Sequence, residues 1–79
     1  MKDWRQRIEV NAQVMLGKPV IAGTRITVEQ ILRKLAENMG VEEVLRDYPR
    51  LTREDIQAAL SYACDAVGSE EIVLTGRTG

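Results

Sequence analysis

Three arginines cluster around a tyrosine–proline pair in the middle of the chain. Arg46, Arg50 and Arg53 flank Tyr48 and Pro49. Guanidinium groups bind phosphate through charge-assisted hydrogen bonds, so this cluster predicts phosphate contacts on either side of a groove in DNA. The alternative interpretation is that the arginines pair with neighbouring carboxylates and only solvate this segment. Those carboxylates are Asp47, Glu54 and Asp55.

Two polar side chains that follow the cluster are candidates for contact with bases. Gln57 and Ser61 fall on one face of a predicted helix, where glutamine suits adenine and serine suits either kind of base. Lys18 and Arg25 flank a glycine further upstream and are predicted to contact phosphate or a partner protein. The face of Gln57 and Ser61 contains no cation and should bind DNA poorly by itself. Its other members are Glu54, Ala58 and Asp65.

Residues suited to catalysis or metal binding are scarce. The chain contains no histidine, which removes the usual general base and the commonest metal ligand. Cys64 is the single cysteine, so no internal disulfide forms, and we expect it to be a small buried residue. Glu42 and Glu43 are adjacent on a predicted helix and point about 100° apart. We therefore expect no enzyme activity, no cofactor and no metal site.

The first third of the chain predicts a β element followed by a helix. Extended segments at 7–10, 19–21 and 25–26 surround a turn at Gly23, which places the β element at about 7–26. Thr27 and Gln30 form a capping-box pattern, and the apolar period predicts a first helix at about 28–39. We assign Gly40 to the position just beyond the end of this helix. The predicted apolar face consists of Val28, Ile31, Leu32, Leu35 and Met39.

The remaining sequence predicts a short helix and then a long one. Apolar spacing gives a second helix at about 41–48, which Pro49 ends. Thr52 and Asp55 predict the start of a third helix at about 53–67, and Gly68 is assigned as its stop. The short and long helices have the proportions of a helix-turn-helix. The predicted buried stripe of the third helix is Ile56, Ala59, Leu60, Ala63 and Val67.

The segment "GKPVIAGTRITVEQIL" and the later "GVEEVLRDYPRLTREDIQAALSYA" resemble the family called domain of unknown function 433. The likeness runs from about Gly17 to Ala63 and departs from the family pattern at Ala22, where a basic residue is frequent. It implies a helix-turn-helix fold of winged-helix or homeodomain-like type and a likeness to VapB-type antitoxins. It also implies a PIN-like toxin as partner. The corner at 22–25 either forms a wing-like element or only covers one end of the helical core.

These features predict one mainly α domain over 1–68 and a tail over 69–79. The small aliphatic core favours a homodimer, while Trp4 covers that core or lies in a dimer interface. The resemblance favours an antitoxin, with operator DNA binding left open, and the alternative is a protein-interaction domain that never binds DNA. The first seven residues have no apolar stretch, so we expect a cytoplasmic protein. The tail either pairs with the first strand or binds the partner through Ile72, Val73 and Leu74.

Overall fold

The computed structural model describes residues 3–69. Two short strands, β1 (Ile8–Glu9) and β2 (Val20–Ile21), form an antiparallel pair in which Ile8 lies opposite Ile21. Three helices follow: α1 (Val28–Ala36), α2 (Val41–Asp47) and α3 (Arg53–Ser69). The predicted mainly helical domain with an N-terminal β element is thus confirmed. Within the described residues, no helix has both the length and the apolar character needed to span a membrane.

The starts of α1 and α3 follow directly from local sequence. The Thr27 hydroxyl accepts from the Gln30 N–H at 2.9 Å, and the Gln30 side chain accepts from the Thr27 N–H at 2.8 Å. The same reciprocal pair joins Thr52 and Asp55 at 3.0 and 3.3 Å. Each box satisfies two N–H groups that the first turn of a helix leaves without partners, so both helix starts are confirmed.

The end of α1 differs from the prediction. Asn38 adopts a left-handed backbone with φ 72°, and the Met39 N–H donates to the Lys34 carbonyl at 3.2 Å. This arrangement ends the helix about three residues earlier than predicted, because asparagine tolerates the left-handed conformation that usually requires glycine. Gly40 instead precedes α2 with φ −79°, and its N–H donates to the Glu43 carboxylate at 2.8 Å.

The end of α3 also differs, because the described helix continues through Gly68 to Ser69. A Cβ at Gly68 would meet no atom within 4 Å, so nothing in the packing requires glycine there. The Ser69 hydroxyl donates to the Asp65 carbonyl at 2.7 Å, the bond from position i to i−4 that serine can form within a helix.

An aliphatic core joins the β pair to all three helices. Ile31 and Val44 are fully buried, and the predicted apolar face of α1 lies in or against this core. The buried stripe predicted for α3 is wrong in part. Leu60 is 37% exposed, Val67 is 59% exposed and Cys64 is exposed, whereas Ala58 is buried. The core cluster consists of Ile8, Ile21, Val28, Ile31, Val44, Leu51, Ile56, Ala58 and Ala59.

Packing of the N-terminus explains this error. A short 3₁₀ turn, Trp4–Gln6, lies against α3. The Trp4 indole meets the Tyr62 ring edge-to-face at 4.8 Å, and its N–H donates to the Asp65 carboxylate at 2.7 Å. Since α3 packs against α1 as well, it is covered on more than one side and a single apolar stripe does not describe it. Trp4 packs against the core, as one of its two predicted roles requires.

Candidate functional site

The glycine corner contacts the turn between α2 and α3. Gly23 has φ 78°, which confirms the predicted turn, and the Thr24 N–H donates to the Ile21 carbonyl at 3.0 Å. The Thr24 hydroxyl also donates to the Ile21 carbonyl, at 2.7 Å, and accepts from the Ile26 N–H at 3.0 Å. These bonds fix the corner. The Arg50 guanidinium donates to the Gly23 carbonyl at 3.3 Å, so the corner and the turn lie together.

Three exposed arginines lie in the corner, in the turn and in the last turn of α2. Arg25 lies in the corner, Arg50 bridges to it, and Arg46 lies in the last turn of α2. All three are exposed, and none forms an ion pair with a carboxylate within residues 3–69. We call these three residues the junction arginines. Exposed guanidinium groups without carboxylate partners are available to bind an anion such as a phosphate.

Two other predicted cations are already paired. Arg53 forms an ion pair with Glu42, and the Lys18 ammonium lies 3.1 Å from the Glu29 carboxylate. Hydrogen bonds from Lys18 and then from Arg33 lower the pKa of Glu29 below its ordinary value. Lys18 lies on the Glu29 side of α1, and in the described residues no hydrogen bond or ion pair joins it to the junction arginines.

Two of the three carboxylates expected to neutralise the turn have other partners. Asp47 accepts from the Lys34 ammonium at 3.1 Å, and this hydrogen bond raises the pKa of Lys34. The Lys34 ammonium also lies 5.4 Å from the centre of the Tyr48 ring, within range of a cation–π contact. Asp55 is buried and lies 3.0 Å from the Arg7 guanidinium. The local pairing considered as the alternative for the turn arginines therefore does not form with these two carboxylates.

The predicted base-contacting face of α3 lies beside the N-terminal segment. Gln57 is exposed and Ser61 is half-buried, and both line shallow depressions with Asp3 and Trp4. The Arg5 backbone N–H donates to the Asp3 carboxylate at 2.9 Å and lowers the pKa of that group. The Arg5 guanidinium also lies 3.1 Å from the Asp3 carboxylate and compensates its charge beside Gln57.

An exposed leucine in the connection between the strands was not anticipated from sequence. Met15, Leu16 and Gly17 have φ values of 49°, 58° and 83°, so three consecutive residues are left-handed. This conformation costs about 1–2 kcal/mol for each residue that is not glycine. Leu16 is 94% exposed. Gly17 is the only one of the three residues whose type indicates a left-handed backbone. The sequence therefore does not reveal that Met15 and Leu16 adopt this conformation as well.

The predicted partner-binding triplet Ile72, Val73 and Leu74 lies outside the described residues. The placement of the tail against the first strand or against a partner therefore stays a prediction.

Comparisons with known proteins agree with the architecture. A family model described as "Protein of unknown function (DUF433)" matches residues 8–63. The crystal structure of a DUF433 member protein from Anabaena variabilis ATCC 29413 is similar, with a TM-score of 0.75 and 31% sequence identity. The match covers 78% of this chain and 61% of that one, so this chain spans less than two thirds of its length. No curated protein matches the chain. With most of its length matched by the family model, the chain belongs to the DUF433 family.

Proposed function

We propose that the protein is the antitoxin of a type II toxin–antitoxin pair, that it binds and neutralises a PIN-like toxin, and that it binds operator DNA as a two-fold dimer. Membership of the DUF433 family and the likeness of that family to VapB-type antitoxins support this proposal. The antitoxin assignment rests on that likeness. The DNA-binding part rests on the charges of the described residues.

The observation that carries the DNA-binding part is the group of junction arginines. The contact between Arg50 and Gly23 joins two segments that are 27 residues apart and brings Arg50 of the turn to the corner that contains Arg25. No carboxylate pairs with them in the described part of the chain. Phosphate contacts supply much of the affinity of DNA-binding proteins, so this junction is the part of the domain best suited to DNA.

In this arrangement the junction arginines hold phosphates, and Gln57 and Ser61 contact base edges from the first half of α3. Arg53 and Lys18 contribute less than predicted, because each already pairs with a glutamate. A two-fold dimer places two copies of the junction on successive half-sites of an operator.

A second candidate is a protein-interaction domain that does not bind DNA. The carboxylates of Glu54 and Asp65 near Gln57 favour it. Such a surface repels a phosphate backbone and suits a basic partner protein.

Arginine substitutions distinguish the two candidates. We expect Arg46→Ala and Arg50→Ala each to weaken binding to a duplex from the promoter upstream of the gene. The slope of log affinity against log salt concentration should fall by about 0.9 for each phosphate that the variant no longer neutralises. Arg5→Ala is the matched control, since Arg5 is exposed but paired with Asp3 in the N-terminal segment. Equal affinity and equal salt slope in all three folded variants would contradict the DNA-binding proposal and favour the second candidate.

A further inference from the structure

We propose that two copies of the chain associate through a groove between α1 and the second half of α3, with Leu16 of each copy filling the groove of the other. This interface rests on the two-fold dimer of the proposed function. It does not depend on whether the partner of that dimer is a toxin or DNA.

The groove is apolar and open along one side of the domain. Its floor and walls come from α1, from the residue before β2 and from the second half of α3. Val67 remains 59% exposed there, although it is branched and apolar. Small side chains on both helices allow another chain to approach closely. The apolar lining includes Pro19, Leu32, Ala36, Ala63, Ala66 and Val67.

Leu16 is an apolar side chain displayed for contact. It is 94% exposed, and it lies in a turn in which Met15, Leu16 and Gly17 all have a left-handed backbone. The turn is closed by hydrogen bonds from the Gly17 N–H to the Val14 carbonyl at 3.0 Å and from the Lys18 N–H to the Met15 carbonyl at 3.1 Å. Leu16 is therefore held in place rather than carried on an unrestrained segment.

The exposed leucine and the groove lie on adjacent parts of the same surface. Lys18, two residues after Leu16, binds Glu29, and Glu29 lies on the edge of the groove. A two-fold interface brings the same patch of both copies together, so an exposed side chain and its receptor must both lie within one patch. This adjacency is the reason for choosing a second copy as the occupant of the groove.

Charges at the edge of the groove complement themselves under two-fold symmetry. Lys18 and Arg33 are positive and Glu29 between them is negative, and all three side chains are at least half exposed. When the patch is rotated onto itself, Glu29 of each copy can face a cation of the other copy across the interface.

The interface leaves the junction arginines accessible. Arg50 lies just before α3, whereas the α3 part of the groove is residues 62–67 near the other end of that helix. A helix of 17 residues separates its two ends by about 25 Å. None of the three junction arginines lines the groove.

Charge-swap variants test the interface. In sedimentation velocity, we expect the full chain to dimerise, and Leu16→Lys and Ala66→Glu each to raise the dimer Kd by at least about tenfold. Both positions are exposed, so neither change should disturb the monomer fold, which circular dichroism checks. An equimolar mixture of the two variants should recover a dimer, because it contains one native leucine–groove contact and one lysine–glutamate contact. Val10→Lys is the matched control, since Val10 is 60% exposed and does not line the groove.

Three results would overturn the proposal. The first is a wild-type chain that stays monomeric at about 100 µM, which would mean a Kd weaker than that concentration. The second is a Leu16→Lys variant that dimerises as well as the Val10→Lys control, which would leave the dimer in place but move its interface elsewhere. The third is loss of dimer on truncation after Ser69, which would identify the tail as the occupant. Failure to bind toxin or DNA by a chain that follows the dimer predictions would contradict the proposed function alone.

Discussion

Asp55 shows how one side chain serves both local and long-range structure. Its carboxylate accepts from the Thr52 N–H and completes the capping box of α3, and it also binds the Arg7 guanidinium 48 residues away. Arg7 directly precedes β1, so this ion pair ties the start of the β element to the start of α3. The capping role was predictable because it depends on a spacing of three residues. The pairing with Arg7 was not, because it requires the tertiary fold.

Removal of this carboxylate should destabilise the fold. We expect Asp55→Ala to lower the free energy of unfolding by about 2 kcal/mol, because it removes the cap and leaves Arg7 without its partner. Asp47→Ala is the control. It breaks an exposed pair with Lys34 and should cost less than about 1 kcal/mol. Urea denaturation of the two variants measures both values, and equal losses would contradict the structural role of Asp55.

Glu29 provides a pH-dependent contribution to stability. Its pKa is lowered in the folded protein by hydrogen bonds from Lys18 and Arg33, so the unfolded chain binds a proton more readily. The contribution is therefore complete above the ordinary carboxyl pKa of 4.5 and is lost as the pH falls through the lower folded pKa.

We expect the difference in stability between wild type and Glu29→Gln to be largest at neutral pH and to shrink below about pH 4.5. High salt should reduce the neutral-pH difference, because the Glu29 side chain is half exposed and its charge is screened. Urea denaturation at neutral and acidic pH measures this difference. A difference that grows as the pH falls would contradict the assigned ion pairs.

The helix boundaries show which parts of the fold follow from local sequence. Both capping boxes were predictable because each is completed within four residues of chain. The end of α1 was not, because asparagine and glycine can both end a helix and Asn38 comes first. The extension of α3 through Gly68 was not predictable either, because a glycine permits a helix to end but does not require it.

Gly40 distinguishes the predicted boundary from the observed one. Since Gly40 has φ −79° before α2, we expect Gly40→Ser to stabilise the protein by about 0.5 kcal/mol, because the hydroxyl adds a cap for the first turn. At a left-handed position, serine would instead destabilise by about 1 kcal/mol. The space is sufficient, because a Cβ there would lie 3.8 Å from the nearest atom, a Glu43 carboxylate oxygen. Thermal denaturation gives the sign of the change.

At the scale of the whole domain, the order of the strands and helices and the mainly helical class were predictable from the sequence. The distribution of exposed residues on α3 was not, because the packing of Trp4 against Tyr62 and Asp65 cannot be derived from the period of α3. The sequence identified the arginines of the candidate site but not which of them lack a carboxylate partner. That depends on the fold, because carboxylates on α1, on α2 and in the N-terminal segment form ion pairs with other cations.

The domain has three surfaces of different chemical character. The junction arginines lie in the corner, in the turn before α3 and in the last turn of α2, the apolar groove lies near the end of α3, and the carboxylates beside Gln57 lie along a third side with Asp3 and Trp4. The DNA-binding proposal uses the first of these surfaces together with Gln57 and Ser61, and the proposed dimer uses the second.

Titration of the full chain into the purified product of the gene beside its own tests the antitoxin assignment most directly. The proposal predicts that this product is a PIN-like toxin. The proposal predicts a complex with a Kd of about 1 µM or tighter, together with relief of the growth arrest that the neighbouring protein causes when expressed alone. Truncation after Ser69 should weaken this complex by at least about tenfold if Ile72, Val73 and Leu74 contact the toxin. No detectable complex at about 100 µM, with growth arrest unaffected by the full chain, would contradict the antitoxin function.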